Sequence, residues 1–199
     1  MDKNKLELLS AKNSVLLLVD YQPAMFRGVG SGNRTTIRNA AVGAVKAAKI
    51  LDVPVVLSVI TPKYNGNVIK EIAEIFPDKM PFDRKIPSFD ALEDEAILAE
   101  LKKIGKKKII ISGLWTSMCF CYTAIHAIKE GYEVYGLMDA AGDASKCAHK
   151  NGMKRMTQVG VVPITLLSLV SEWMHDWGNP KSGELVKEVY SKFEAMLGM

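Results

Sequence analysis

Histidine is scarce in this chain: His126, His149 and His175 are all that 199 residues contain. No two of them stand at metal-ligand spacing and no Cys-x-x-Cys occurs, so the sequence offers no zinc or iron site. Cysteine is scarce as well. Cys119, Cys121 and Cys147 form an odd set in a chain of ordinary length, which argues against a disulfide framework and fits a reducing compartment. No apolar run approaches the ~18 residues of a membrane span. The opening Met-Asp-Lys-Asn-Lys-Leu-Glu carries acidic residues and lacks the apolar centre of a signal peptide. These absences predict a cytoplasmic protein with no membrane partner. An excess of one charge is missing too: 26 basic residues against 22 acidic ones give +4, too mild for a nucleic-acid partner. The cluster Lys102, Lys103, Lys106, Lys107 and Lys108 reads as a solvated helix end rather than a phosphate patch. Gly28, Gly30 and Gly32 come well after the first strand, not at a strand–helix turn, so they fail as a dinucleotide fingerprint and read as a mobile loop.

What is present is an alternation of strand-like and helix-like runs in a chain that suits one domain over residues 1–199. Ser14–Asp20, Pro54–Ile60, Lys107–Leu114, Tyr132–Met138 and Val161–Leu166 read as strands. Helical spacing covers Thr35–Leu51, Asn67–Ile75, Asp94–Ile104, Ser117–Glu130, Lys146–Val159, Leu167–His175 and Gly183–Leu197. Strands that are continuous apolar runs are buried on both faces. Their alternation with helices predicts β-α-β crossovers and a mainly parallel sheet in a three-layer α/β/α domain. The one long irregular stretch, Phe76–Asp90, is long enough to be functional.

In such a sheet ligands bind beyond the carboxyl ends of the strands. Asp20-Tyr21-Gln22, Leu114 to Cys119, and Asp139 to Asp143 all fall on that edge. Cys119 lies near the start of a helix, where the dipole lowers a thiol pKa and free N–H groups can hold an oxyanion. Asp20 could act as its base. A free cysteine is equally at home in a core, and an aspartate after a strand often caps a turn, so position alone leaves both readings open. Cys121 and Cys147 read as packing residues. His126, seven positions after Cys119, stands about 10 Å further along the helix axis and cannot be its base by direct contact. His149 and His175 are expected to be structural or surface residues.

The run Gly113-Leu114-Trp115-Thr116-Ser117-Met118-Cys119-Phe120-Cys121-Tyr122-Thr123-Ala124-Ile125-His126-Ala127 resembles the signature of isochorismatase-like cysteine hydrolases, roughly G-x-x-T-x-x-C-x-x-x-T-A-x-x-A. Leu16 to Gln22, Asn65-Gly66, Phe76-Pro77-Asp78, Gly131 to Val134, Asp139-Ala140 and Arg155-Met156 extend the likeness over nearly the whole chain, closest to the YcaC-like branch. The resemblance implies a six-stranded parallel sheet and a triad of aspartate, basic residue and cysteine. Asp20 and Cys119 carry over directly; Arg84 and Lys85, in Asp83 to Phe89, are both candidates for the basic member. It further implies a cis peptide between Leu114 and Trp115, with Trp115, Thr116, Gln22 and Phe26 about the oxyanion site and pocket. The family's metal-binding branch has an Asp-x-His…His site after the second strand. Here Thr61 to Asn67 holds no histidine, so a metal-free, cofactor-free site is expected.

The resulting expectation is a metal-independent hydrolase in which a Cys119 thiolate attacks a small amide, nitrile or related C–N substrate with Asp20 as base. Vinyl ether hydrolysis of the isochorismate type is an alternative, as is a non-catalytic thiol-redox or small-molecule-binding role. Assembly into a homo-oligomer is implied by the same resemblance; Trp173–Trp177 fits either an apolar interface or packing within the subunit.

Overall fold

The computed structural model describes residues 7–193. The chain begins with β1 (Ser14–Val19), a short α1 (Pro23–Arg27), the long α2 (Arg34–Ile50) and β2 (Val55–Val59). Two single-turn helices, α3 (Pro62–Asn65) and α4 (Lys70–Ala73), lead to β3 (Phe82–Asp83). Then come a 3-10 turn at Ala91–Glu93, α5 (Glu95–Ile104), β4 (Lys108–Gly113), a π-helical turn (Thr116–Phe120) and α6 (Cys121–Lys129). The chain continues through β5 (Glu133–Leu137), α7 (Lys146–Gln158), β6 (Val162–Ile164), α8 (Leu166–Met174), α9 (Ser182–Glu188) and a 3-10 turn at Tyr190–Phe193. The six strands form one parallel sheet in the order β3-β2-β1-β4-β5-β6.

Side chains alternate across the two faces of β1 as the two-residue period requires. Leu16 and Leu18 enter a core with α2 and α8, while Val15, Leu17 and Val19 enter a second core with α5, α6 and α7. The three layers follow from this double burial. Helix ends sit where the sequence provides for them. Asn33 caps α2 by accepting from the Thr35 and Thr36 amides, Asp94 caps α5, and Gly105 ends α5 in the left-handed conformation.

The differences from expectation lie at the sheet's margins. β3 is a two-residue edge strand inside Phe76–Asp90, too short to show a period. Phe82 and Asp83 are held by pairing with Ser58 and Val59. β6 is shorter than Val161–Leu166 and partly exposed; its Pro163 is tolerated on an edge strand. The helix expected over Ser117–Glu130 starts as a π turn, in which the Phe120 N–H donates to the Trp115 carbonyl 3.3 Å away. The last helix ends at Glu188, and the end of the Gly183–Leu197 prediction lies outside the described residues, as does most of the N-terminal segment. Trp173 packs inside the subunit, 3% exposed, and so is not free to serve an interface; Trp177 is exposed against Tyr190. Among the described residues no helix is long and apolar enough to cross a membrane.

Candidate active site

Strand register brings the site together. Val19 pairs with Gly113, so Asp20 leaves β1 directly beside the point where Leu114 and Trp115 leave β4. Gly113 makes that approach possible: a Cβ there would stand 2.8 Å from the Val19 carbonyl oxygen, so any larger residue pushes the two strand ends apart. Asp20 turns sharply, with φ at 61°, a left-handed conformation that aspartate tolerates better than most residues. Its N–H donates to the Ser58 carbonyl at 2.9 Å, tying the turn to β2. Arg84 follows β3, and its N–H donates to the Val59 carbonyl at 3.2 Å. The ends of β1, β3 and β4, with β2 between β3 and β1, therefore deliver Asp20, Arg84 and the Cys119 turn to one edge.

Arg84 Nη2 lies 2.7 Å from Asp20 Oδ2, and both side chains are fully buried. Arg84 Nε and Nη1, together with Asp20 Oδ1, have no ordinary hydrogen-bond partner among the described residues. The Cys119 thiol interacts with the same Asp20 carboxylate. Lys85, the other candidate for the basic position, is exposed; its backbone N–H donates to Asp94 Oδ2 at 3.0 Å, and its side chain is not part of the buried cluster.

Electrostatics at the pair differ from the helix-terminus expectation. Burial pushes the Cys119 thiol well above the ordinary thiol range, and the Asp20 carboxylate pushes it the same way. Arg84 and the Trp115 backbone amide pull against them without prevailing. Desolvation of a thiolate outweighs the partial charge of a helix end. Burial likewise raises Asp20, against Arg84 and the Cys119 thiol. Both shifts run toward the uncharged forms: the thiol holds its proton more tightly than a solvated thiol, and the carboxylate more tightly than a solvated carboxylate.

The remaining expected residues have definite places. The Leu114–Trp115 peptide is cis. The Trp115 indole N–H donates to the Met25 carbonyl at 3.0 Å, holding α1 over the site. Thr116 is buried, with Oγ1 2.8 Å from His149 Nδ1. Gln22 is spent on the scaffold: its Oε1 accepts from the Ile60 N–H at 2.9 Å, and its Nε2 donates to the Ile60 and Gly66 carbonyls. Phe26 is a core residue, 6.0 Å from the Tyr21 ring with Arg38 over its outer face. Cys121 is buried in the second core and Cys147 is exposed.

Sequence reasoning missed the supports. Asp143 Oδ2 accepts from the Ser117 N–H at 2.7 Å, while its own carbonyl accepts from the Gly30 and Ser31 amides. The glycine stretch is thus tethered to the loop after β5. His126 Nδ1 lies 2.7 Å from Asp90 Oδ2, and the Ala91 N–H donates to Thr123 Oγ1, so the chain beyond Arg84 is fastened to α6. The position of Asp143 after a strand was visible; its bond to Ser117, 26 residues away, was not. Among the described residues no group of three or more His, Cys, Asp or Glu side chains could hold a metal ion.

This arrangement matches known proteins over most of its length. Residues 14–167 fit the isochorismatase domain family. The probable hydrolase YcaC of Escherichia coli is 27% identical over 176 residues, 88% of this chain and 84% of its own. The E. coli YcaC crystal structure, described as an octameric hydrolase of unknown specificity, superposes with a TM-score of 0.88 over 96% of this chain and 94% of that one, at 26% identity. YcaC from Pseudomonas aeruginosa, solved with hexane-2,5-diol and covalent acrylamide, has a TM-score of 0.88 at 23% identity over 96% of each chain.

Proposed function

Because the chain belongs to the isochorismatase family and is a YcaC-like hydrolase, we propose that it is a cysteine hydrolase acting on a small amide, nitrile or related C–N substrate, with Cys119 as nucleophile. The observation that carries this reading is the fully buried Asp20–Arg84 pair with the Cys119 thiol on the same carboxylate. A buried ion pair costs desolvation and is weak evidence for stability. Placed against a thiol at the carboxyl edge of a parallel sheet, it has a chemical use.

For an amide, the steps are these. Asp20 takes the Cys119 proton as sulfur adds to the carbonyl carbon. Negative charge moves onto the carbonyl oxygen, which the backbone N–H groups of Trp115 and Cys119 receive. The C–N bond breaks, and the nitrogen leaves with the proton held on Asp20. Water, deprotonated by Asp20, then cleaves the thioester and restores the thiol. Arg84 keeps Asp20 oriented and offsets the negative charge shared between carboxylate and sulfur. No metal and no cofactor enters this scheme.

The test is a hydrolysis screen with small amides and nitriles on wild type and Cys119→Ala. Turnover in the wild type that the variant loses supports the reading; a Cys119→Ala protein with full activity overturns it. We further propose a homo-oligomer working in the cytoplasm. Tyr64, Met80, Ile86 and Phe89 are 54–76% exposed, the free thiols suit a reducing compartment, and the E. coli relative is octameric. Native mass spectrometry giving only monomer would refute assembly.

A further inference from the structure

Arg84 has more donors than Asp20 uses. Only Nη2 meets the carboxylate, while Nε and Nη1 are buried without a partner among the described residues. A guanidinium presents its five N–H donors in a fixed planar fork. Leaving donors of a charged group buried and unsatisfied is costly, and native proteins rarely do so without a reason. Neighbouring groups share the condition. Asp20 Oδ1 and Ser58 Oγ are also buried and unpartnered. Ser58 lies in register with Phe82, two residues before Arg84, at the same end of the sheet. The unmet polar atoms thus gather where Cys119 interacts with Asp20.

Resting on the proposed function, we infer that Arg84 binds substrate directly: Nε and Nη1 hold an uncharged oxygen acceptor, carbonyl or hydroxyl, one or two bonds from the reacting carbon. The oxygen of the reacting carbonyl is already assigned to the backbone donors of Trp115 and Cys119, so Arg84 meets a second one. Charge decides against a carboxylate. Asp20 and Arg84 already neutralise each other, and moving the thiol proton onto Asp20 leaves a thiolate balanced by the same guanidinium. A substrate carboxylate would leave one uncompensated negative charge in a buried site, which is heavily penalised. The group reaching Arg84 is also small, since Cys119 is only 5% exposed and the Arg84 side chain is fully buried.

Three alkylating reagents test this with one reaction, in which the thiolate displaces iodide from a CH2 carbon. Iodoacetamide carries a neutral carbonyl beside that carbon, iodoacetonitrile has none, and iodoacetate carries a carboxylate. Cys119 labelling rates are read by peptide mass spectrometry and divided by the rates of glutathione with each reagent. Because every reagent attacks the same thiolate, rate ratios cancel any change in how much thiolate is present. The expected result is a wild-type preference for iodoacetamide over both others of about tenfold, the worth of one or two hydrogen bonds, that Arg84→Lys brings back to the glutathione ratio. Wild-type ratios equal to those of glutathione, a preference for iodoacetate, or a preference intact in Arg84→Lys each overturn it. Wild-type ratios equal to those of glutathione overturn it even if the variant fails to fold; a wild-type preference is assigned to Arg84, rather than to the backbone donors of Trp115 and Cys119, by its loss in Arg84→Lys or, if that protein does not fold, in Arg84→Gln. Cys119 unlabelled by all three reagents while the exposed Cys147 reacts would instead sink the nucleophile reading, and this inference with it.

Discussion

Asp20 and Arg84 meet through one oxygen and one nitrogen, Oδ2 and Nη2, 2.7 Å apart, with both side chains removed from solvent. This single contact, in place of a two-fold fork, leaves Oδ1 outside the ion pair, and the Cys119 thiol interacts with the same carboxylate. The pair has opposite effects on the thiol: the carboxylate pushes the Cys119 pKa up and the guanidinium pulls it down. Asp20→Asn removes the first and leaves the guanidinium opposed by burial alone. The pH midpoint of Cys119 alkylation by iodoacetamide should therefore fall, by about one unit or more, even as hydrolysis is lost with the base. A midpoint that rises or stays would mean that Asp20 does not set the thiol's charge. The same variant leaves a buried guanidinium unpaired, so it should also lose about 3–5 kcal/mol of stability, read by chemical denaturation.

Alkaline stability follows from the same burial. Burial raises Cys119, Cys121 and Tyr21 above their ordinary values in the folded state. The folded protein then keeps protons that the unfolded chain has released, so stability falls as pH rises past the unfolded values of about 8.5 for thiols and about 10 for tyrosine. Each such proton contributes a slope of about 1.4 kcal/mol per pH unit. Thermal melts from pH 8 to 10.5 should show a falling Tm in wild type and a shallower fall in Cys119→Ala. Cys121 and Tyr21 keep their shares. Parallel slopes for the two proteins would show that Cys119 titrates alike in both states.

Gln22 separates scaffold from pocket. Its amide clamps the Ile60 N–H and the Ile60 and Gly66 carbonyls across a segment in which Thr61 holds a strained φ of 43°. Gln22→Ala leaves those backbone groups buried and unpaired, and should cost about 2–4 kcal/mol, seen as a lower denaturation midpoint. Once a substrate is in hand, KM in the surviving folded fraction should change little. A large rise in KM with unchanged stability would return Gln22 to the pocket.

The parts of this fold visible in the sequence are those with strong local signals. β1 and β4 are long apolar runs, and their carboxyl ends announce Asp20 and the Cys119 turn. β3 has two residues and no period, so the strand that positions Arg84 could not be seen, and neither could the choice between Arg84 and Lys85. That choice depends on which residue leaves β3 facing Asp20, 64 positions away. The sign of the Cys119 shift was equally hidden. Helix position is a local feature that favours thiolate, whereas burial is a property of the assembled core and outweighs it here. Asp143, His149 and His126 act through partners 26 to 36 residues away, and no local spacing encodes such contacts.

Gly152 on α7 shows how closely the nucleophile turn is braced. A Cβ at this position would lie 2.8 Å from the Ser117 Cα, 3.0 Å from the Ser117 nitrogen and 3.1 Å from the Thr116 carbonyl carbon. All three are backbone atoms, so no side chain can swing aside, and either α7 or the turn carrying Cys119 must move. The turn is held on its other side by the Asp143 carboxylate on the Ser117 N–H and by the Gly142 carbonyl accepting from the Thr116 N–H at 2.9 Å. Gly152→Ala therefore strains a backbone fixed from two directions, and overpacking of this kind costs about 1–3 kcal/mol. Displacing a nucleophile by about 1 Å can cost 100-fold in rate. The variant should thus lose far more Cys119 alkylation rate than Tm, whereas Gly183→Ala on α9, where an added Cβ meets nothing within 4 Å, should alter neither appreciably. If Gly152→Ala labels at the wild-type rate, α7 can yield without disturbing the turn, and the brace lies with Asp143 instead.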